Sequence, residues 1–279
     1  MTDHIAILTD FGLDDSYVGM MKAVIAGISP DAHIIDLTHT IPAGDIQRGA
    51  FEAWRVRSFL PPGTVLLGVV DPGVGTKRQA VAIKLPGLHC VGPDNGLFSF
   101  LLHSTETYEA TTIMNPRFQL QTNSHTFHGR DIFAPAAAYL SQGISLAELG
   151  PVVPELVRIP NPLLEDLEPG SILGEILHSD HFGNLISSIG RFEGEGENTS
   201  FIPWIPSLSA RTLNAQDFEV VLPQGDVVPL GGTFADVPQG EALAYIGSSG
   251  LLEIAINVGS AADSLGLSHG DEIIFKNRG

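Results

Sequence analysis

The sequence predicts an α/β fold with a layered N-terminal α/β domain, built on a largely parallel sheet, and a smaller C-terminal β-rich, barrel-like domain. In the first half of the chain, apolar strand-like runs alternate with helical periodicity, which is typical of a parallel sheet covered by helices. In the second half, short β-like runs are separated by glycine and proline. Five prolines between residues 151 and 169 indicate an extended connection. We therefore expect domains at residues 1–155 and 171–279, joined by a Pro-rich linker at 156–170.

The N-terminal elements follow one another as strand and helix. Asp14, Asp15 and Ser16 precede an apolar i, i+3, i+4 pattern that begins at Tyr17, so we expect them to cap a helix there. Pro135 is expected to bend or delay a helix over residues 131–142. The other predicted helices cover residues 17–28 and 45–59, and the predicted strands cover 4–10, 33–39, 64–71, 78–85 and 88–92.

The C-terminal half is predicted to consist mostly of short strands. A single helical turn is expected at residues 260–267. The predicted strands cover residues 171–180, 184–189, 218–222, 242–248, 251–259 and 271–276.

Composition restricts the classes of partner. A formal net charge of −18, with 43% hydrophobic and 16% charged residues, indicates an acidic and well-packed protein. Such a surface repels phosphate backbones and anionic lipid, so we expect no nucleic-acid partner and no membrane association. Cys90 is the only cysteine, and the N-terminal residues lack the basic segment of a signal peptide. Both features favour a cytoplasmic location.

Two aspartates end apolar strands and open loops that contain glycine, Asp10 in TDFG and Asp71 in DPGVG. The carboxyl ends of strands in an open α/β sheet border the crevice where ligands bind. A carboxylate there accepts ribose hydroxyls or fixes a water molecule, although each aspartate alone is equally well explained as a turn cap. Arg78 and His128 lie in two polar segments, residues 69–81 and 124–138. Together with Asp71 they form a set able to hold and orient water.

Other kinds of site have less support. The spacings of phosphate-binding loops and of a nucleophile elbow are absent from the sequence. GPDNG (92–96) indicates a turn, with Asp94 or Asn95 as alternative crevice residues. Histidine pairs at 125/128 and 178/181 leave a zinc or iron site as an alternative, but we expect no metal and no organic cofactor.

A third polar segment lies in the C-terminal half. Asp180, Phe182 and Asn184 place an acid, an aromatic ring and an amide within five residues. Such a set holds an amine, stacks on a base and hydrogen-bonds to the edge of that base. The alternative is an ordinary β-turn with Phe182 facing the core.

Taken together, these segments resemble the S-adenosyl-L-methionine (SAM) hydroxide adenosyltransferases, the hydrolase branch of the family that includes the fluorinase and chlorinase enzymes. The resemblance implies a homotrimer in which each active site lies between the N-terminal domain of one subunit and the C-terminal domain of the next. The matching segments are TDFGxxDxYVGxMK (9–22), DPGVGxxR (71–78), GPDNG (92–96), TFHGRDIFAPAAA (126–138), DHFGN (180–184) and GSSGLLEIAINVGSAA (247–262).

The resemblance also implies roles for individual residues. Asp71, Arg78 and His128 match the residues that handle water, and the halogenases lack this triad. The loop after Gly12 is one residue shorter than in the fluorinase, so Asp14 and Asp15 remain alternative counterparts. Ser249 stands where the halogenases carry arginine. The implied substrate contacts are Asp10 with the ribose, Asp14, Ser16, Asp180 and Ser248 with the methionine, and Phe182, Asn184 and the backbone near Val258 with the adenine.

We therefore expect an enzyme that hydrolyses SAM to adenosine and L-methionine, with a positioned water or hydroxide attacking the ribose C5′. Either Asp71 or His128 is the expected proton acceptor. The alternatives are a SAM-dependent halogenase that forms a 5′-halo-adenosine, and a non-catalytic sensor that binds SAM or adenosine.

Overall fold

A computed structural model describes residues 4–103, 105, 107–122, 126–167, 170–194, 199–214 and 217–278 of the chain. Its internal contacts divide the chain into two compact units, one ending at Ile159 and one beginning at Pro160. The proposed domains at residues 1–155 and 171–279, with a linker between them, stay a prediction.

The N-terminal unit alternates strands and helices along most of its length. Short 3₁₀ turns lie at Arg57–Phe59 and Pro116–Phe118, and a π-helical turn lies at Gly129–Phe133. The elements are β1 (His4–Thr9), α1 (Tyr17–Ile28), β2 (His33–Thr38), α2 (Ile46–Val56), β3 (Thr64–Val69), β4 (Ala80–Leu85), β5 (Leu88–Pro93), α3 (Ser99–His103), β6 (Glu109–Thr112), α4 (Ala134–Ser141) and α5 (Leu146–Leu149).

These strands form one six-stranded sheet in the order β2-β1-β3-β5-β4-β6. The pairings among β2, β1, β3 and β5 are parallel, whereas β4 pairs antiparallel with both β5 and β6. Side chains of a strand alternate between the two faces of a sheet. Ile5 and Ile7 of β1 accordingly pack with α1 and α4, while Ala6 and Leu8 pack with residues of α2 and α3. The predicted layered α/β domain is confirmed, and its sheet is mixed but largely parallel.

Two local expectations are refined at helix starts. Ser16 occupies the N-cap position of α1, but within the described residues its side chain makes no capping hydrogen bond. Pro135 lies in the first turn of α4, directly after the π-helical turn. The predicted start at residue 131 is therefore modified, because the π-helical turn comes first and the α-helix begins at Ala134.

The C-terminal unit is mostly antiparallel sheet. Its one α-helix among the described residues, α6 (Ala261–Leu265), matches the predicted helical turn. The strands are β7 (Leu164–Leu167), β8 (Ser171–Ser179), β9 (Leu185–Gly190), β10 (Phe192–Glu193), β11 (Thr199–Phe201), β12 (Arg211–Leu213), β13 (Phe218–Val221), β14 (Val227–Pro229), β15 (Ala242–Ile246), β16 (Leu251–Ile256) and β17 (Glu272–Asn277).

The main sheet of this unit curls almost into a barrel. It has eight strands, seven in the order β14-β13-β17-β8-β9-β16-β15, and β7 pairs with β8. The two ends of this order approach each other, since Leu230, next to β14, forms a bridge with Ala244 of β15. The predicted barrel-like domain is confirmed. Strands β10, β11 and β12 form a separate small sheet.

Candidate active site

Asp10 and Asp71 follow neighbouring parallel strands at the same edge of the N-terminal sheet. Thr9 of β1 is in register with Val69 of β3, and the Asp10 amide donates to the Val69 carbonyl at 3.4 Å. The Gly44 amide donates to Asp10 Oδ2 at 2.8 Å. Burial raises the pKa of Asp10 above its ordinary value. The Gly44 hydrogen bond opposes this rise, and the negative charge of Asp71 adds to it.

Arg78 joins Asp71 to His128. Its Nε donates to Asp71 Oδ1 at 2.8 Å, and its second terminal nitrogen, Nη2, donates to Asp71 Oδ2. The same Nη2 lies 2.7 Å from His128 Nδ1. The side chains of Arg78 and Asp71 are only 10% and 4% exposed, so this two-pronged ion pair is shielded from water. The structure thus brings the three residues of the predicted triad into direct contact.

The Arg78 contact fixes the form of the His128 ring. A guanidinium has only donors, so His128 Nδ1 must be the acceptor of this hydrogen bond. A neutral imidazole that accepts at Nδ1 carries its proton on Nε2. His128 Nε2 is therefore a donor in this arrangement.

The local chain conformation explains how the triad forms. The loop after Asp71 turns tightly, with hydrogen bonds from the Val74 amide to the Asp71 carbonyl at 3.2 Å and from the Thr76 amide to the Gly73 carbonyl at 3.1 Å. This folding returns Arg78 to Asp71. His128 directly precedes the π-helical turn, a conformation that is often found at functional sites. The Arg78 guanidinium also lies 5.2 Å from the centre of the Phe133 ring.

A cavity of about 180 Å³ borders the triad. Since water occupies roughly 30 Å³ per molecule, this space admits several waters or one small organic group. Three of the lining rings, Phe11, Tyr17 and Phe127, contact one another with centroids 5.2 to 5.8 Å apart. The lining residues are Phe11, Tyr17, Val69, Asp71, Val74, Thr126, Phe127, His128 and Gly129. The cavity thus combines an apolar wall with two polar side chains of the triad.

The remaining predicted residues of this unit lie near its surface. Asp14, Asp15 and Ser16 are exposed just before α1, so the structure does not decide between the two aspartates. The side chains of Asp94 and Asn95 form hydrogen bonds with backbone groups of the same unit. Asp94 accepts from the Val157 amide and Asn95 donates to the Val70 carbonyl, both at 2.9 Å. That one of them faces a ligand crevice stays a prediction.

GPDNG also shows why a glycine stands at its start. A Cβ on Gly92 would lie 2.3 Å from the carbonyl oxygen of Gly68. Such an approach is too close for any side chain. Gly92 therefore allows β5 to pack tightly against β3, beside the strand end that carries Asp71.

In the C-terminal unit, Asp180 organises the loop that carries Phe182 and Asn184. Asp180 Oδ1 accepts from the amides of Phe182 at 2.8 Å and Asn184 at 2.9 Å, and Oδ2 accepts from Asn184 Nδ2 at 2.9 Å. Phe182 is 76% exposed, so the alternative in which it faces the core is wrong. Asp180 thus fixes the loop by accepting hydrogen bonds from its backbone amides, and the Phe182 ring is exposed to solvent.

Residues 180–184 pack against the segment that contains Val258. The Ala262 amide donates to the Gly183 carbonyl at 3.0 Å, and a Cβ on Gly183 would lie 2.2 Å from Ser260 Oγ. Val258 is 79% exposed and has a φ of 60°, a value that is unusual for a β-branched residue. The structure thus brings together the segments of Phe182, Asn184 and Val258.

Ser248 and Ser249 occupy the turn between β15 and β16, where Ser248 is exposed. Beneath this turn lies a pair that the sequence reasoning missed, in which Tyr245 Oη donates to Glu253 Oε2 at 2.6 Å. Burial, the Glu253 carboxylate and the charge of Asp180 all raise the pKa of Tyr245. The available signal was Glu253, an acid inside the apolar run LLEIAI.

The metal alternative gains no support from the described residues, in which no three His, Cys, Asp or Glu side chains are grouped around a common point. His125 of the 125/128 pair lies outside the described residues. In the 178/181 pair, the Nε2 atom of His178 is buried. None of the helices in the described part of the chain is long and apolar enough to cross a membrane.

Comparisons with known proteins place both halves of the chain in one family. Residues 5–150 match the SAM hydroxide adenosyltransferase N-terminal domain, and residues 174–274 match the C-terminal domain of the same family. An (R)-S-adenosyl-L-methionine hydrolase of Thermus thermophilus is 40% identical, over 94% of this chain and 95% of the relative. One of Salinispora arenicola is 37% identical, over 98% and 97%.

A more distant relative and a solved structure also match over nearly the whole chain. A fluorinase of an Actinoplanes species is 27% identical over 95% of each chain. The crystal structure of an uncharacterized conserved protein from Thermotoga maritima is 34% identical with a TM-score of 0.84, and it covers 98% of this chain and 100% of its own. Both halves of this chain therefore have counterparts in one family, and the hydrolases are more similar to it than that fluorinase.

Proposed function

Because the chain belongs to the SAM hydroxide adenosyltransferase family, we infer that it is an enzyme that hydrolyses S-adenosyl-L-methionine to adenosine and L-methionine. The observation that carries this inference is the Asp71–Arg78–His128 triad, whose Asp71–Arg78 ion pair is shielded from water, beside a cavity large enough for water. The relatives at 37–40% identity are named hydrolases.

The reaction needs a well-oriented nucleophile more than an acid. Water attacks the ribose C5′, the C5′–S bond breaks, and its electron pair goes to the positively charged sulfur, which leaves as the neutral thioether of methionine. The leaving group therefore needs no proton. Water is a weak nucleophile, and holding it in line contributes several kcal/mol, up to roughly 7–11 in the most favourable intramolecular cases.

We propose that Asp71 accepts the proton of the attacking water, while His128 orients that water. His128 Nδ1 is occupied by Arg78, so Nε2 donates a hydrogen bond and does not take a proton. Each carboxylate oxygen of Asp71 accepts one hydrogen bond from Arg78 and has a second lone pair for water. Arg78 holds both partners in place. The reaction as proposed uses no metal and no organic cofactor.

The substrate contacts are proposals of the same kind. Asp10 accepts hydrogen bonds from the ribose hydroxyls. Asp14 or Asp15 contacts the methionine, together with Ser16, Asp180 and Ser248. Phe182, Asn184 and the backbone near Val258 hold the adenine. The exposed ring of Phe182 and the nearby segment of Val258 support the last of these. Ser249 replaces an arginine of the halogenases and has no assigned contact.

Purified protein incubated with SAM is expected to release adenosine and L-methionine in equal amounts, measured by liquid chromatography. Because the relatives are named for the (R)-sulfonium epimer, both sulfur epimers are assayed separately. Chloride or fluoride should change neither the rate nor the product. A 5′-halo-adenosine would show the halogenase instead, and tight binding without adenosine above the spontaneous rate would show the sensor.

We also propose a cytoplasmic homotrimer, with each site formed by the N-terminal domain of one subunit and the C-terminal domain of another. The location is supported by a single cysteine, which is fully buried. Light scattering is expected to give three times the 29.6 kDa mass of the chain. A monomer at assay concentration that retains full activity would contradict the trimer.

A further inference from the structure

A line of hydrogen bonds outside the triad runs from the edge of the sheet to residues 9–12, the loop that carries Asp10. Thr9 Oγ1 lies 2.9 Å from His39 Nδ1, and His39 Nε2 lies 3.0 Å from Asp36 Oδ1. Lys22 Nζ donates to Asp36 Oδ2 at 2.6 Å. Thr9 is fully buried and His39 is 5% exposed, so the inner part of this line is closed to water.

The donors and acceptors in this line have one consistent direction. Ionised Asp36 only accepts, so His39 donates from Nε2, and in the neutral ring Nδ1 then accepts from the Thr9 hydroxyl. The Thr9 oxygen in turn accepts from the Phe11 amide at 3.3 Å. Burial opposes ionisation of Asp36, but the hydrogen bonds from Lys22 and His39 outweigh it and hold its pKa below the ordinary value.

The backbone places His39 for this contact. Ile7 of β1 pairs with Asp36, but Leu8 pairs with Thr38, so β2 contains a bulge at Leu37. A bulge redirects the residues that follow it and is common beside active sites. The His39 carbonyl also accepts from the Gly12 amide at 2.7 Å. His39 therefore holds residues 9–12 by its side chain and by its backbone.

We propose that His39, braced by Asp36, is a positioning residue for the loop that carries Asp10 and Phe11. The proposal rests on the function inferred above, because Asp10 is the proposed ribose contact and Phe11 lines the cavity. His39 is buried and acts through Thr9. Its side chain determines where the Asp10 carboxylate stands when substrate arrives.

The test uses Thr9→Val, which keeps the shape of the side chain and removes both of its hydrogen bonds. KM for SAM, and Kd for the product adenosine measured by calorimetry, are expected to rise about tenfold, the equivalent of one lost hydrogen bond of about 1.4 kcal/mol. Thr9→Ser restores the hydroxyl and should return both constants to near the wild-type values.

A matched control separates positioning from stability. Thr64 is also a fully buried strand threonine, and its hydroxyl donates to the Pro61 carbonyl at 2.7 Å. Thr64→Val should lower Tm to a similar extent and leave KM and Kd unchanged. In an Asp10→Ala background, adding Thr9→Val should have no further effect on adenosine affinity, since the two act through one contact.

The outcomes distinguish this proposal from the proposed function. Wild-type protein that neither hydrolyses SAM nor binds adenosine contradicts the function. Hydrolysis together with unchanged affinity in Thr9→Val, or with the same loss in the Asp10→Ala background, overturns the positioning role alone. Nitrogen NMR of the His39 ring gives a readout independent of turnover. A proton on Nε2 is expected, and a neutral ring with its proton on Nδ1, which could not donate to Asp36, would overturn the proposal.

Discussion

Replacing Arg78 by methionine is expected to lower kcat for SAM hydrolysis about a thousandfold, since loss of one preorganised electrostatic contact in an enzyme site typically costs ~10²–10³ in kcat. Methionine fills similar space but donates no hydrogen bond. Asp71 then loses both of its Arg78 contacts, and His128 loses the partner that fixes its ring proton. The measurement is the steady-state rate of adenosine release under saturating SAM.

Two further variants show whether the loss of activity is specific to the Arg78 hydrogen bonds. Arg78→Lys keeps a positive charge but cannot span both carboxylate oxygens, so an intermediate loss of activity is expected. Arg48→Met removes a half-buried cation that pairs with Glu52 at 3.0 Å and does not line the cavity. Its kcat should stay close to that of the wild type. Equal losses in Arg78→Met and Arg48→Met would show a general effect on folding.

Patterns local to the sequence predicted most of the fold. A strand that is buried on both faces, such as β3, reads as an unbroken apolar run, and the helix that follows β1 has a clear apolar stripe. Other elements had no such signal. β6 reads EATT and is held by its pairing with β4, and the two-residue β10 is held by β11. Contacts distant in sequence, which a local pattern does not contain, create these short strands.

The candidate site shows the same division. Asp10 and Asp71 were found because each ends an apolar strand, and the parallel pairing of β1 with β3 then brings them together. The contact between Arg78 and His128 spans 50 residues, and that between Thr9 and His39 spans 30. The residue types alone show neither the distances between these side chains nor the tautomers of the two histidines. The contact between Thr9 and His39 and the Tyr245–Glu253 hydrogen bond are therefore evident only from the three-dimensional structure.

Asp71→Asn and His128→Gln are expected to separate the proton acceptor from the group that orients the water. Asparagine has the shape of aspartate but cannot take a proton at this site, and loss of a general base costs ~10²–10⁴ in rate. Glutamine at position 128 still offers an amide donor in place of Nε2–H. We therefore expect a decrease in kcat of roughly a thousandfold for Asp71→Asn and of about tenfold for His128→Gln.

The relative losses of kcat in the two variants assign the two roles. Asp71→Asn also weakens the hold on Arg78, so its Tm and its Kd for adenosine are measured alongside. The opposite ranking, with the larger loss of kcat in His128→Gln, would make His128 the acceptor. It would also require the ring to release Arg78 once substrate is bound, because Nδ1 cannot accept from a guanidinium and take a proton at the same time.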